Sequence, residues 1–252
     1  MTREFDTPRF PSPELADEEG LLTVGGQLTP TWLLAAYGQG IFPWPLVVPE
    51  GHILAWFSPD PRAVLSWDSL HIPRRLKRRL RRGEFEITCN VAFATILDYC
   101  AAPRSNDSMT WITPSMKQAY RQLHDLEYAH SVEIWQNRQL VGGLYGVAIG
   151  SYFSGESMFH LQSDASKVAV VAMTAHLQHR GFDLFDIQQS TPHMQEMGAT
   201  QMPRSEFLKR VSISTSQENR FGNYGDFNRS LKWLDEQLQS QISQSSDRHN
   251  AD

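Results

Sequence analysis

The chain has 252 residues, of which 40% are hydrophobic and 20% charged. This composition is typical of a globular protein and argues against a disordered one. No apolar run approaches the roughly 20 residues that cross a bilayer, and the N-terminus lacks the order of a signal peptide. We therefore expect a cytoplasmic protein with no membrane partner. Cys89 and Cys100 are too few and too far apart to predict a disulfide framework or a cysteine zinc site.

The net charge of −5 argues against nucleic-acid binding through overall positive charge, but it conceals one basic segment. Leu76 and Leu80 stand four apart in this segment, which predicts a helix anchored by leucines. A solvated helix face is the usual explanation of a charge run. Seven cations in nine positions repel one another, however, and this favours a polyanion partner. The cations are Arg74, Arg75, Lys77, Arg78, Arg79, Arg81 and Arg82.

Residues 1–61 are dense in Gly, Pro and Trp, which predicts a small N-terminal domain with tight turns. Thr29 and Pro30 are a typical start for a short helix over residues 32–37. Gly38 is expected to end that helix.

Longer periodic elements begin at residue 62 and predict a second domain over residues 62–212. Asn90 is a candidate cap for a helix over residues 91–101, and Thr113 is the same for a helix that ends near residue 126. Downstream patterns predict a three-stranded antiparallel meander, then a helix, a strand and a short helix. These elements cover residues 130–135, 139–149, 151–157, 164–179 and 182–188, with the last helix starting at Pro192.

Residues 213–252 are polar and predict a C-terminal extension that is partly disordered. Within it, residues 231–242 form one plausible amphipathic helix. We expect the tail over residues 243–252 to be disordered.

Several strings, in this order, resemble the bacterial leucyl/phenylalanyl-tRNA–protein transferases. No single string is decisive, but their joint order and spacing are specific, and the resemblance covers residues 10–210. The strings are FPSPE (10–14), GLLTVGGQLTPTWLLAAYGQGIFPW (20–44), WFSPDPRAVL (56–65), TWIT (110–113), AYRQLHDLEYAHSVEIW (119–135), LVGGLYGV (140–147), FSGESMF (153–159) and ASK (165–167), followed by the strand with Asp186 and Gln188.

The resemblance implies an α+β fold, with a small N-terminal α/β domain and an acetyltransferase-like (GNAT-like) C-terminal domain that has a mixed, largely antiparallel sheet. It also implies an aminoacyltransferase that moves Leu, Phe and, less readily, Met from aminoacyl-tRNA to a protein's N-terminal α-amine. The acceptor protein would begin with Arg or Lys and would be marked for N-end-rule degradation. No metal or cofactor is implied, and we expect a monomer.

The reaction needs a neutral amine to attack an ester, so the enzyme must orient the amine and accept its proton. Asp186 and Gln188 stand two apart on a predicted strand and should share a face. The resemblance implies that Asp186 polarises Gln188, which receives the amine's hydrogen bond. Glu156 would face the same cleft and suit a cationic acceptor. The alternative for Glu156 is an ordinary surface carboxylate, and for Asp186 and Gln188 it is that of turn-adjacent polar residues at a strand end.

An apolar pocket must select the transferred side chain by its shape. The resemblance assigns this pocket to Leu144, Phe153, Val170 and Met173, which would otherwise be interpreted as plain core. The family more often has Met at the position of Leu144 and Phe at that of Met173, and the second difference bears on the preference between Leu and Phe.

The adenine at the 3′ end of tRNA needs an aromatic stacking partner. The resemblance assigns this role to Trp44 and Trp111, whose turn-like flanking residues favour partial exposure. The alternative is that both are core indoles. The basic segment would bind the phosphates of the acceptor stem.

Other interpretations compete with this one. A different acyltransferase on the same fold would need a glycine-rich loop for coenzyme A, and residues 158–167 contain no glycine. A serine hydrolase would need a second glycine at the position of Phe159. His176 and His179 stand three apart on a helix, but two ligands are too few for a metal site. A non-catalytic tRNA-binding protein would use only the basic helix and the indoles.

Overall fold

The computed structural model describes residues 8–49, 51–103 and 110–249. No helix within these ranges is both long enough and apolar enough to cross a membrane.

The N-terminal part combines a short helix with small antiparallel sheets. Its elements are a 3₁₀ turn (Pro13–Leu15), β1 (Leu21–Val24), α1 (Pro30–Tyr37), β2 (Phe42–Pro43), β3 (Leu46–Val48), β4 (Gly51–Ile53) and β5 (Ala55–Phe57). The strands form a three-stranded sheet in the order β1-β5-β2 and a separate β3-β4 pair. The side chain of Thr29 accepts a hydrogen bond from the backbone N of Trp32, which confirms the predicted helix start.

The rest of the chain builds one large mixed sheet flanked by helices. Its elements are β6 (Arg62–Leu65), α2 (Arg74–Arg81), β7 (Glu86–Cys89), α3 (Phe93–Cys100), α4 (Pro114–Asp125), β8 (Ala129–Gln136), β9 (Gln139–Ile149), β10 (Tyr152–His160), α5 (Ala165–His179), β11 (Leu184–Gln188), α6 (Pro192–Glu196), β12 (Thr200–Met202), α7 (Arg204–Thr215) and α8 (Tyr224–His249). The strand order is β12-β6-β11-β10-β9-β8-β7. Only the β10–β11 pair is parallel among the described neighbours in this sheet. The α+β class, the largely antiparallel mixed sheet and the β8-β9-β10 meander are therefore confirmed.

Apolar side chains on the two faces of this sheet belong to two separate cores. Leu144 of β9 belongs to a core with residues of α2, α5 and α8, whereas its neighbour Tyr145 belongs to a core with residues of α1, α3, α4 and α7. Successive residues of a strand point to opposite faces, so helices cover both sides of the sheet.

The helix near Asn90 begins differently from the prediction. Asn90 has φ +60 and bonds His130 and the backbone N of Ser131, so it does not cap α3. The buried carboxylate of Glu133, on β8, instead lies 3.4 Å from the backbone N of Ala92, the residue before the helix. A residue distant in sequence thus replaces the local cap, and α3 starts later than predicted.

Residues 224–249 of the C-terminal extension form one long helix, and residues 213–215 are the end of α7. The predicted helix over residues 231–242 is observed as part of α8, which also covers residues 243–249, most of the tail expected to be disordered. Residues 250–252 lie outside the described range. Phe227, Leu234 and Leu238 bury this helix against the core that contains α5.

Candidate active site

A cavity of about 900 Å³ opens where β10 and β11 end, beside the first turns of α5 and α6. The parallel pairing of these two strands brings their ends to the same edge of the sheet. Glu156 and Gln188 line the cavity, as do Trp44 and Trp111. The structure therefore gathers side chains from both the N-terminal part and the large sheet at one site.

Glu156 and Gln188 form a buried hydrogen-bonded pair in the cavity wall, with 8% and 4% of their surfaces exposed. The side-chain Nε2 of Gln188 donates to Glu156 Oε1 at 2.8 Å and to Ser154 Oγ at 3.3 Å. An amide nitrogen has two hydrogens to donate, and both are used here. The carbonyl Oε1 of Gln188 is then the part of the amide suited to accept a hydrogen bond from a ligand.

Two tyrosines hold the other side of the Glu156 carboxyl group. Tyr120 donates its hydroxyl to Glu156 Oε2 at 2.7 Å, and the hydroxyls of Tyr120 and Tyr37 lie 2.7 Å apart. Burial raises the pKa of Glu156 to about 7, although hydrogen bonds from these hydroxyls and from Ser154 favour the charged form. The carboxyl group is therefore poised to gain or lose a proton near neutral pH.

Asp186 is fully buried, and both oxygens of its carboxylate accept hydrogen bonds. Its Oδ1 and Oδ2 accept from Arg62 Nε at 2.8 Å and Nη2 at 2.6 Å. Tyr152 donates its hydroxyl to Oδ2 at 2.7 Å, and the backbone N of Gln188 donates to Oδ1 at 2.8 Å. Asp186 thus contacts the backbone of Gln188, whereas the expectation was that it polarises the side-chain amide. Glu156 occupies that position instead.

A β-bulge explains this arrangement. The register of β11 against β6 shifts between Asp186 and Gln188, and Gln188 has φ +64, in the left-handed region that non-glycine residues rarely adopt. Strict alternation, which the sequence pattern predicts, therefore does not hold at this point. The left-handed backbone at Gln188 lets its N–H donate to the Asp186 carboxylate while its side chain faces the cavity.

Two of the four residues predicted for the amino-acid pocket reach the cavity. Leu144 and Val170 line it, whereas Phe153 and Met173 lie among the fully buried core residues and are not part of its wall. Phe185 lines the cavity and contacts Phe153 at a ring-centroid distance of 5.4 Å. Sequence reasoning missed Phe185, because strict alternation places it on the face opposite to Asp186 and Gln188, and only the bulge at Gln188 brings the amide to the side of Phe185.

Trp44 and Trp111 both line the cavity and are stacked on each other. Their ring centroids lie 4.7 Å apart with an interplanar angle of 10°. Both are partly exposed, as their turn-like flanking residues predict. Because Trp44 follows β2 and Trp111 precedes α4, only the tertiary fold brings them together.

The basic segment forms α2, with Leu76 buried and the cations spread around it, as predicted. Arg79 differs from the other cations because its Nε bonds Glu84 and its Nη1 bonds Asp164, each at 2.8 Å. This side chain holds the helix against the loop before α5. The exposed cations of the segment are Arg74, Arg75, Arg78, Arg81 and Arg82, and Lys77 is half-buried.

His176 and His179, which were considered as metal ligands, make packing contacts instead. The two ring nitrogens of His176 bond Ser230 Oγ and the carbonyl of Phe221, each at 2.9 Å, and His179 bonds the same Ser230. These histidines therefore hold the C-terminal extension against α5. Within the described ranges, no group of three or more His, Cys, Asp or Glu residues is placed to hold a metal ion.

Comparison with known proteins identifies relatives of this chain. The chain is 50% identical over 216 residues to a leucyl/phenylalanyl-tRNA–protein transferase of Nitratidesulfovibrio vulgaris (strain DP4), covering 85% of this chain and 91% of that protein. It is 52% identical over 212 residues to the protein of the same name from Aromatoleum aromaticum, covering 83% and 88%.

The solved structures found by comparison share little sequence with the chain. A functionally unknown conserved protein from Staphylococcus epidermidis has a TM-score of 0.37 at 10% identity, covering 73% of this chain and 68% of that one. A GCN5-related N-acetyltransferase-like protein from Streptococcus suis has a TM-score of 0.30 at 12% identity, covering 68% and 64%.

Two sequence models of one family match the chain. The model described as the leucyl/phenylalanyl-tRNA protein transferase N-terminal domain matches residues 26–60, and that described as leucyl/phenylalanyl-tRNA protein transferase matches residues 64–212. Together with the relatives, these matches establish that the chain belongs to the leucyl/phenylalanyl-tRNA–protein transferase family of aminoacyltransferases.

Proposed function

We propose that the protein transfers Leu, Phe and, less readily, Met from aminoacyl-tRNA to the N-terminal α-amine of proteins that begin with Arg or Lys. The transfer marks the acceptor for N-end-rule degradation in the cytoplasm, where charged tRNA is present. The observation that carries the proposal is one cavity in which an apolar wall, a carboxyl–amide pair and two indoles meet. Every group involved belongs to one chain, so a monomer suffices.

The side chain being transferred would lie against Leu144, Val170 and Phe185. These residues offer only apolar surface, so selection of Leu or Phe over branched-Cβ side chains rests on shape. The rigid ring of Phe185 and the unbranched-Cβ Leu144 face the space that the side chain would fill.

The acceptor amine would bind between Gln188 and Glu156. The Gln188 carbonyl oxygen accepts a hydrogen bond from the amine and directs the nitrogen lone pair towards the ester carbon. A new C–N bond forms, the C–O bond of the ester breaks, and the ribose oxygen leaves with a proton. A carboxamide is a very poor base, so Glu156, whose pKa is about 7, accepts the proton that the amine loses and passes it to the leaving ribose oxygen.

Asp186 and the tyrosines would act as positioning groups. Asp186 fixes the backbone N of Gln188 and is itself fixed by Arg62. Tyr120 orients the Glu156 carboxyl group and is in turn bonded to Tyr37 of α1. Helix α1 belongs to the N-terminal part, so this hydrogen-bond chain couples that part to the reaction site.

A cationic acceptor suits this site because Glu156 is the acidic group that lines the cavity wall at the reacting amide. The charge of Asp186 is compensated by Arg62 within hydrogen-bond distance. An acceptor with N-terminal Arg or Lys brings positive charge to an ionised Glu156, and this attraction favours it over an acceptor with Ala.

The terminal adenine of tRNA would stack on the indole pair. Stacking of a base on an aromatic side chain is worth about 1–3 kcal/mol. Trp44 and Trp111 now contact each other, so an adenine on the open face of the pair adds one layer to the existing stack. The exposed arginines of α2 would contact the phosphates of the acceptor stem.

The test is transfer of radiolabelled phenylalanine or leucine from charged tRNA to peptides that begin with Arg, Lys or Ala and are otherwise identical. We expect label on the Arg and Lys peptides only. The matched variant Gln188→Ala should retain tRNA affinity and lose transfer. If wild type binds tRNA without transfer to any peptide, the protein is a tRNA-binding protein and the proposal is wrong.

A further inference from the structure

The cavity has a polar end that the proposed reaction does not use. His160, Ser166 and His193 line it there, beside the first turn of α5. We call these three residues the histidine cluster. His160 Nδ1 and Ser166 Oγ lie 3.4 Å apart. Among the described residues, His193 Nε2 is buried without a hydrogen-bond partner, and such an unsatisfied polar atom calls for an explanation.

Lys167 and Glu196 are the charged residues beside this end of the cavity, and they pair with each other. Burial lowers the pKa of His193, and positive charge on Lys167 and His160 lowers it further, while Glu196 opposes them. Glu196 is itself paired with Lys167 at 3.2 Å, and its side chain is 69% exposed. The acid is therefore screened by water on the outside, whereas the imidazole and hydroxyl groups face the cavity.

The histidine cluster also lies next to the basic helix. Arg79 of α2 bonds the carbonyl of Ser163 at 2.7 Å and the carboxylate of Asp164 at 2.8 Å. Asp164 immediately precedes α5, whose first turn carries Ser166. A polynucleotide that starts at an ester in the cavity and continues to the arginines of α2 must therefore leave past this end.

We propose that the histidine cluster binds the phosphodiester group that joins the terminal adenosine to the preceding nucleotide of tRNA. This proposal rests on the proposed function. An imidazole N–H and a serine O–H are hydrogen-bond donors that a phosphate accepts well, and the neutral ring can donate from Nε2. The N-terminal end of α5 adds partial positive charge.

The experiment uses two small donors, 3′-phenylalanyl-adenosine with and without a 5′-phosphate, in the peptide transfer assay. For wild type we expect the 5′-phosphate to lower KM about tenfold, the effect of one or two charge-assisted hydrogen bonds. In His193→Ala and Ser166→Ala the ratio of the two KM values should fall towards one. His193→Gln keeps a donor and should retain part of the ratio. Gln162→Ala, an exposed residue in the same loop, should leave the wild-type ratio.

Three outcomes would overturn the inference. Equal KM values for the two donors in wild type would mean that the enzyme does not bind this phosphate. An equal increase in both KM values in the variants would indicate a merely structural role. A change confined to the KM of the acceptor peptide would assign the cluster to the acceptor. Failure of wild type to transfer from charged tRNA itself would instead contradict the proposed function.

Discussion

Arg62 and Asp186 form a two-point ion pair in which both side chains are fully buried, with N–O distances of 2.8 and 2.6 Å. Arg62 stands at the start of β6 and Asp186 on β11, so the pair joins two adjacent antiparallel strands. The arginine also lies over the rings of Phe42 and Phe207, 4.8 and 4.4 Å from their centroids. It therefore links the N-terminal part to the strand that carries Gln188.

Replacing Arg62 with Met should strongly destabilise the protein. The substitution leaves the Asp186 carboxylate buried without a countercharge, and breaking a buried pair in this way costs about 3–5 kcal/mol. Urea denaturation would measure the decrease in unfolding free energy. Arg121→Met, which breaks an exposed pair with Asp98, is the control and should cost about 1 kcal/mol or less. A decrease as small as this at Arg62 would mean that the buried pair does not stabilise the fold.

Replacing Gln188 with Glu should reduce kcat about a hundredfold or more, since it removes an oriented amide from the reacting site. The new carboxylate cannot donate to Glu156 and repels it. Gln178→Glu places the same charge on an exposed residue of α5 outside the cavity wall and should have a small effect. Steady-state transfer kinetics would compare them. Unchanged kcat in Gln188→Glu would refute the orienting role of the amide.

The rate of transfer should rise with pH through about 7, because burial raises the pKa of Glu156 to about 7 and the ionised form accepts the proton. The Glu156→Gln variant should lack this limb and keep only the ionisation of the acceptor amine, near pH ~8. A profile of kcat from pH 5.5 to 9, an assay range of about 3.5 units around these values, would show it. If kcat of Glu156→Gln rises with pH in the same way as that of wild type, Glu156 is not the group responsible for the rise.

Glu156 should also make the stability of the fold depend on pH. The stability should fall as pH rises, whereas the transfer rate should increase. The unfolded chain ionises Glu156 near its ordinary value of 4.5, whereas the folded chain holds the proton up to about pH 7. The folded state thus binds more protons in this window, and its stability falls as pH rises through it. Glu156→Gln should flatten this part of a plot of unfolding free energy against pH.

Neutralising Arg78 and Arg81 should weaken tRNA binding and reduce its salt dependence. The slope of log Kd against log salt should fall by roughly 0.7–0.9 for each phosphate that the helix no longer neutralises. The control is Lys209→Ala, an exposed cation on α7, whose buried residues belong to the core on the other face of the sheet. Filter binding at several salt concentrations would measure the slopes. Equal slopes in all variants would mean that α2 does not contact the tRNA.

The attachment of α8 should weaken in acid. Burial lowers the pKa of His130 to about 3 and that of His176 to about 4, so both are neutral in the folded protein near pH 5. The unfolded chain binds these protons from about pH 6.5 downwards, and stability therefore decreases as pH falls from there. In His176→Asn the decrease should be smaller. Urea denaturation at pH 5 and 7 would test this, and an equal decrease in the variant would assign the effect elsewhere.

Local sequence signals predicted most of the elements. Thr29 and Thr113 cap helices through their own side chains, as their positions before proline indicate. Leu76 anchors α2, and the strand predicted over residues 139–149 coincides with β9. These features depend on residues within one or two turns of each other, so the linear pattern contains the necessary information.

Long-range contacts decided the features that the sequence did not predict. Glu133 replaces Asn90 at the start of α3, and Glu156 rather than Asp186 bonds the Gln188 amide. The bulge at Gln188 breaks the strict alternation from which Asp186 and Gln188 were expected to share a face. In each case the partner is distant in sequence or the backbone departs from a regular period, and neither is visible in residue spacing.

The sequence by itself determined the family, the α+β class, the basic helix and the residue types needed for aminoacyl transfer, because these depend on local order and composition. The tertiary structure alone decided that Leu144 and Val170 reach the cavity whereas Phe153 and Met173 do not, and that Trp44 and Trp111 stack. It also decided that Arg62 neutralises Asp186. The physical reason is that burial and pairing depend on which distant elements pack together, and a carboxylate or an indole acquires its role only from those neighbours.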